Sequence, residues 1–217
     1  MWKKVAIGVI AVVAIFVVVV ATRPSEFRIQ RSLQMNAPRE VVFGLINDFH
    51  AWRDWSPWEK LDPGMKKEFS GSEAGTGAVY SWEGNDQVGS GRMTIVKSEP
   101  AEKVDIQLEF LKPWEATNQT HFTVAPAGSQ AEVTWEMVGQ NDFAGKAMGL
   151  FMDMDGLVGA DFEKGLASMK QLAEAKAEAL AKEKAALAEA EAKAAAEAKA
   201  KADAEAAAAA DAELPPP

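Results

Sequence analysis

Tryptophan is the residue type with the most chemical promise in this chain. Seven are present, and six fall between Trp52 and Trp135. Trp52, Trp55, Trp58, Tyr80, Trp82, Trp114 and Trp135 are large aromatic side chains with a polar handle, suited to filling a core or lining a cavity. Tyr80 and Trp82 are two residues apart, as are Trp135 and Met137, so each pair shares one face of a strand. Soft methionine beside rigid rings suits an apolar pocket that adapts to its contents. The competing reading is plain core filling. For Trp55 and Trp58 a place at a membrane interface is a further alternative.

Proton-transfer chemistry needs a titratable group in a dry pocket. His50, beside the tryptophan cluster and close to Asp48 and Asp54, is the catalytic candidate. His121 is expected to be exposed. Asp153, Asp155, Asp161 and Glu163 form an acidic cluster that oxygen-seeking cations could use. No Gly-containing calcium loop accompanies it, and capping of a helix by Asp155 accounts for it more simply. No metal and no cofactor are expected. The Ser-His-Asp order, the nucleophile elbow, the Walker loop and the dinucleotide fingerprint do not occur, and Gly89-Ser90-Gly91 reads as a strand bend.

Composition narrows the classes. The 217 residues carry a net charge of −9. No basic stripe exists to replace phosphate counterions, so nucleic acid is not an expected partner. The chain has no cysteine, which removes disulfides, thiolate nucleophiles and cysteine-ligated metals.

The elements that must position these residues are legible from periodicity. Phe27, Ile29, Leu33 and Met35 alternate with polar residues and predict a strand. Pro38-Arg39-Glu40 opens a short helix with Val41, Val42, Leu45 and Ile46 as its apolar face. After Asp62-Pro63-Gly64, strands are predicted over about 66–70, 77–82, 89–97, 103–111, 117–124 and 131–138. Val104, Ile106, Leu108 and Phe110 oppose Asp105, Gln107 and Glu109, which is a sheet with one packed and one wet face. A helix from about Leu157 repeats Val158, Phe162, Leu166, Met169 and Leu172 or Ala173 at helical spacing. The expected class is α+β, with this helix packed on a curved antiparallel sheet.

Strand, two short helices, six strands and one long helix is the helix-grip order. The segment Ser32-Leu33-Gln34-Met35-Asn36-Ala37-Pro38-Arg39-Glu40-Val41-Val42-Phe43, then Ile46-Asn47-Asp48-Phe49, then Trp52-Arg53-Asp54-Trp55-Ser56-Pro57-Trp58, and Phe162-Glu163-Lys164-Gly165-Leu166 resemble the SRPBCC superfamily. This START-like group includes polyketide cyclase/dehydrase-type proteins, and the resemblance covers about residues 28–173. It implies a deep apolar cavity between sheet and helix for a lipid, polyketide or other hydrophobic small molecule. It implies no single reaction, because fold is a poor guide to chemistry. The ligand-binding set is then Trp55, Trp58, Tyr80, Trp82, Met93, Phe110, Trp135, Met137 and Phe162.

Two appendages flank this domain of residues 25–173. The uncharged run from Val5 to Ala21 spans roughly 25 Å as a helix, near the short limit for crossing a hydrocarbon core. Residues 1–24 read as an uncleaved anchor. A cleaved secretory signal with its site at Val19-Val20-Ala21 is the alternative. The favoured location is a bacterial inner membrane with the domain on the periplasmic side. Residues 174–217 are almost entirely Ala, Glu and Lys, with maximal helix propensity and mixed charge at i,i+4. This tail predicts a solvated helical spacer; contact with a protein partner is the alternative.

Overall fold

The computed structural model describes the backbone of residues 2–128 and 130–212. The chain forms two units, Met1–Glu174 and Ala175–Pro217. The first begins with α1 (Trp2–Ala21) and β1 (Glu26–Met35). Pro38 then precedes α2 (Arg39–Asn47), which buries Val42, Leu45 and Ile46. Their three- and four-residue spacing places them on one face. Asp48 accepts the backbone N–H of His50 and starts a 3-10 turn at Phe49–Ala51. Helix α3 (Trp52–Trp55) and a second 3-10 turn, Pro57–Lys60, follow.

Six further strands are β2 (Lys66–Gly71), β3 (Ala78–Glu83), β4 (Ser90–Glu99), β5 (Lys103–Lys112), β6 (Ala116–Ala127) and β7 (Gln130–Gln140). They join β1 in one antiparallel sheet ordered β1-β7-β6-β5-β4-β3-β2. Register shifts in the β4–β5 ladder at Ser90/Gly91 and Ile95/Lys97 add the local bending that lets a sheet curve. Val104, Ile106, Phe122, Val124, Val133 and Trp135 point to the concave face and are buried. Edge strand β2 is exposed throughout, and Lys66, Lys67 and Glu68 blunt its free edge.

Two helices close the element order, α4 (Phe143–Met148) and α5 (Met154–Ala212). Helix α4 is absent from the sequence-based expectation, because six residues are too few to show a period. Phe162, Leu166, Met169 and Ala173 are buried against the sheet. This α+β architecture is the helix grip. Two expectations about the long helix are corrected. It starts at Met154 rather than Leu157, and Asp153 rather than Asp155 caps it, accepting the Gly156 N–H at 2.9 Å. It runs on to Ala212, so the tail expected to be helical is a continuation of the same helix. No Gly or Pro interrupts the sequence between Leu166 and Glu213, and Ala, Glu and Lys all favour continuation. In the second unit Leu180 and Leu187 are exposed, and Lys182 pairs with Glu178 at 2.6 Å.

Candidate functional site

The interior between sheet and α5 is half packed and half open. The packed half is an aromatic block. Trp52 and Trp55 lie 4.6 Å apart, and Phe122 meets both edge-on at 5.8 and 6.2 Å. Their indole N–H groups donate to the α2 carbonyls of Ile46, at 3.0 Å, and Leu45, at 2.9 Å. Those bonds satisfy the polar handles and lock α3 under α2. The open half is a cavity of about 230 Å3. Trp52, Ser56, Met65, Tyr80, Met93, Thr120, Trp135, Met137 and Phe162 form its buried wall. Trp58, Glu59, Trp82, Gln87, Val88, Leu108, Phe110, Val158 and Asp161 are the half-buried or exposed lining residues.

Of the residues singled out from sequence, the fold gathers Trp58, Tyr80, Trp82, Met93, Phe110, Trp135, Met137 and Phe162 round this cavity. Trp55 is not among them: its hydrogen bond to Leu45 holds it in the packed block, 1% exposed. That burial also removes Trp55 from any membrane interface. Trp114 is 72% exposed and lines nothing. His50 lies outside as well. Asp48 holds its ring at 2.9 Å, and the ring stacks on Phe69 at 4.2 Å, half exposed. His50 is thus not among the residues that line the cavity.

Two close approaches shape the wall. Gly165 of α5 lies over Trp135, where a Cβ would come within 2.8 Å of the ring. The bare backbone lets Trp135 stack flat on Phe162, centroids 4.1 Å apart and planes 6° apart. Gly91 of β4 similarly leaves room for Trp82, whose ring a Cβ would meet at 2.4 Å. Trp82 donates to the Val88 carbonyl at 3.0 Å and meets Phe110 edge-on at 6.1 Å.

Ser56, Glu59, Gln87, Thr120 and Asp161 put polar groups in this largely apolar wall, and the pairing made by Glu59 was not visible in the sequence. The Glu59 side chain is 7% exposed, pairs with Lys67 and accepts the Tyr80 hydroxyl at 2.7 Å. Burial first, then the hydrogen bond to Glu59 and its charge, push the Tyr80 hydroxyl far above the usual phenol range. The Tyr80 hydroxyl keeps its proton and uses it in the hydrogen bond to Glu59. Trp135 adds a further polar feature: its Nε1–H is buried and, among the described residues, has no hydrogen-bond partner. An unmet buried donor costs about 1–3 kcal/mol. Leu108 and Thr120 were findable, since each is in phase with neighbours that face the core. Glu59 lies in a 3-10 turn with no period to expose it.

The acidic cluster is used in ion pairs and a cap. Arg31 of β1 reaches Asp155 at 3.1 Å and Glu163 at 2.8 Å. Hydrogen bonds to Asp155 and then Glu163 raise its already high pKa. Asp153 is the helix cap, and Asp161 pairs with Lys164 at 2.9 Å.

His121, expected to be exposed, is half-buried and bonds Asp105 at 2.6 Å across the β5–β6 ladder. Burial pulls the Asp105 carboxyl upward, but hydrogen bonds from His121 and Lys103 together outweigh it and hold the pKa below the ordinary value. The sign follows from linkage. A depressed folded-state pKa gives stability that is present above about pH 4 and is lost as pH falls through the folded value. Asp105→Asn should therefore lower the urea midpoint at pH 6 and lose that effect toward pH 3. An equal deficit at both pH values would show that the carboxylate charge plays no part.

An antiparallel sheet gripping a long helix, with an apolar cavity between them, defines a helix-grip module of the ligand-binding or cyclase-like kind. Residues 26–174 match the family described as polyketide cyclase / dehydrase and lipid transport, and the chain belongs to that family. Among solved structures it is similar to the Aha1 dimer from Colwellia psychrerythraea: 15% identity, TM-score 0.50, covering 68% of this chain and 96% of that one. Protein MLL2253 from Mesorhizobium loti gives 15% identity and TM-score 0.50 over 67% and 96% of the two chains. At such identities these likenesses establish the fold alone. No curated protein sequence matches the chain.

Proposed function

We propose that this protein binds a compact hydrophobic molecule carrying one hydrogen-bonding group, in a domain of residues 25–173 tethered to a membrane by residues 1–24. The cavity of about 230 Å3 carries this reading. It is smaller than the ~300–1,000 Å3 of pockets for drug-sized ligands, so it suits a small ring system or part of one acyl chain rather than a whole diacyl lipid. Trp58, Tyr80, Trp82, Met93, Phe110, Trp135, Met137 and Phe162 are the proposed contacts. The Glu59–Tyr80 pair would orient the polar end of the ligand.

The tether reading is supported by α1, which is 20 residues with mean hydropathy 2.9; a signal sequence passes the same test. At about 1.5 Å per residue it is roughly 30 Å long, the thickness of a hydrocarbon core. The Ala/Glu/Lys tail of residues 174–217 acts as a spacer.

A cyclase-type reaction is the second reading, favoured by one observation. Glu59 stands in the wall with its hydroxyl partner, and Asp161 is the other wall carboxylate. The binding reading is tested by native mass spectrometry of the full chain released from mild detergent. The expected result is a stoichiometric small-molecule adduct, with Trp fluorescence changing when the adduct is removed. A bare protein whose Trp emission is unmoved by added hydrophobic ligands would overturn it.

A further inference from the structure

The register of the sheet brings one end of the barrel-like grip to the place where α1 emerges. Glu26 of β1 pairs with Gln140 of β7, and the Asn141 N–H donates to the Ser25 carbonyl at 2.7 Å. Antiparallel pairing then puts the start of β6, the end of β5, the start of β4 and the end of β3 on the same rim. Residues 22–25 alone join α1 to β1, and four residues reach at most about 14 Å. Val20, near the end of α1, is buried, and α1 touches α4.

That rim is where this unit shows its apolar side chains. Trp114 and Leu111, from the β5–β6 hairpin, are 72% and 57% exposed. Phe143 of α4, Phe151 and Met152 of the following loop, and Leu157 of α5 are exposed as well, Phe151 at 80%. Of the exposed large apolar residues described in this unit outside α1, Phe69 and Val96 lie away from it; Leu61 precedes β2, and Leu180 and Leu187 belong to the second unit. The cavity lining reaches the same rim through Gln87, Val88, Phe110 and Val158.

We infer that this rim is a membrane-docking surface, seated on the bilayer that α1 spans, with the cavity mouth turned toward the lipid. The inference rests on the tether reading of α1. Continuity with α1 identifies the occupant: a link of at most about 14 Å, with the end of α1 packed against α4, keeps the rim within reach of the headgroups. Exposed Trp settles at the headgroup level, and Phe beside it buries into the headgroup/acyl boundary. Glu26, Asp86, Glu115, Asp142 and Asp153 share the region with Arg23, Lys112 and Lys146, so charge does not select anionic lipid. Docking by apolar area should change little with salt. A hydrophobic ligand dissolved in the membrane would then reach the cavity without crossing water.

The cysteine-free chain makes the test direct. Full-length protein in phosphatidylcholine nanodiscs would carry one cysteine-linked nitrobenzoxadiazole probe at a time, in Val12→Cys, Phe151→Cys, Trp114→Cys or Val96→Cys. All four positions are exposed, so folding is not at risk. The expected result is deep lipid-bromine quenching at position 12, shallow lipid-bromine quenching at 151 and 114, and several-fold stronger iodide quenching at 96. Iodide quenching at 151 and 114 equal to that at 96, with position 12 still in lipid, would overturn the docking inference and leave the anchor standing. Iodide access at position 12 would remove the anchor, and the inference with it.

Discussion

Trp135→Ala is expected to destabilise the domain by about 3–5 kcal/mol, the usual cost of deleting a large aromatic from a packed core. For a domain of this size that is a fall in Tm of roughly 8–15 °C. The ring stacks on Phe162 and meets Trp52, Trp55 and Trp58 edge-on at 6.3, 5.5 and 5.7 Å. These contacts join β7, α3 and α5 at one point. Trp135→Phe separates packing from polarity. It keeps an aromatic ring against Phe162 and removes the unmet N–H, so its cost should stay below about 1.5 kcal/mol. Denaturant midpoints measured with unchanged m-values check both. A loss under about 1 kcal/mol in the alanine variant would mean that the stack is not structural.

Leu108→Trp is expected to abolish ligand capture while the fold survives. Leu108 faces the cavity from β5, opposite Met93 on β4 and Asn118 on β6. An indole there grows into open space rather than into packed neighbours. Overpacking of about 1–3 kcal/mol is less than the ~5–15 kcal/mol by which domains are stable. Displacement of a hydrophobic dye should weaken by at least about 100-fold, equal to roughly 2.7 kcal/mol. Far-ultraviolet circular dichroism should keep its native shape. Dye binding unchanged in a folded variant would place the ligand somewhere other than this cavity.

The elements of this fold were readable because one-sided burial imposes a period. Val104 to Phe110 and Val133 to Met137 alternate, and Phe162, Leu166 and Met169 recur at helical spacing, so sheet, helix and facing surfaces follow from local pattern. Element ends were less readable. Asp153 and Asp155 have the same capping chemistry, and the helix start at Met154 puts Asp153 at the cap and Asp155 in the first turn, beside Arg31. The site was legible in its residue types and obscure in its partition. Trp55 and Trp58 sit three residues apart in the same stretch, yet one is locked to Leu45 in the packed block and the other faces the cavity. His50 and Glu59 likewise exchanged places as candidates. A turn capped by Asp48 holds the histidine out on the surface, while a turn opened by Pro57 carries the carboxylate in.

The amino-acid pattern by itself determined an apolar helix of membrane-spanning length, a half-wet antiparallel sheet, an amphipathic helix to cover it and an uninterrupted Ala/Glu/Lys continuation. These depend on side chains only a few residues apart, where periodicity and propensity act. Only the tertiary structure decided that the tryptophans divide between a plug and a wall, that Glu59 and Tyr80 meet inside, and that the cavity mouth shares a rim with α1. Those outcomes depend on register and close approach between segments far apart in the chain, such as Gly165 over Trp135 and Asn141 beside Ser25. No local spacing encodes such contacts, because they exist only once the whole sheet has closed on its helix.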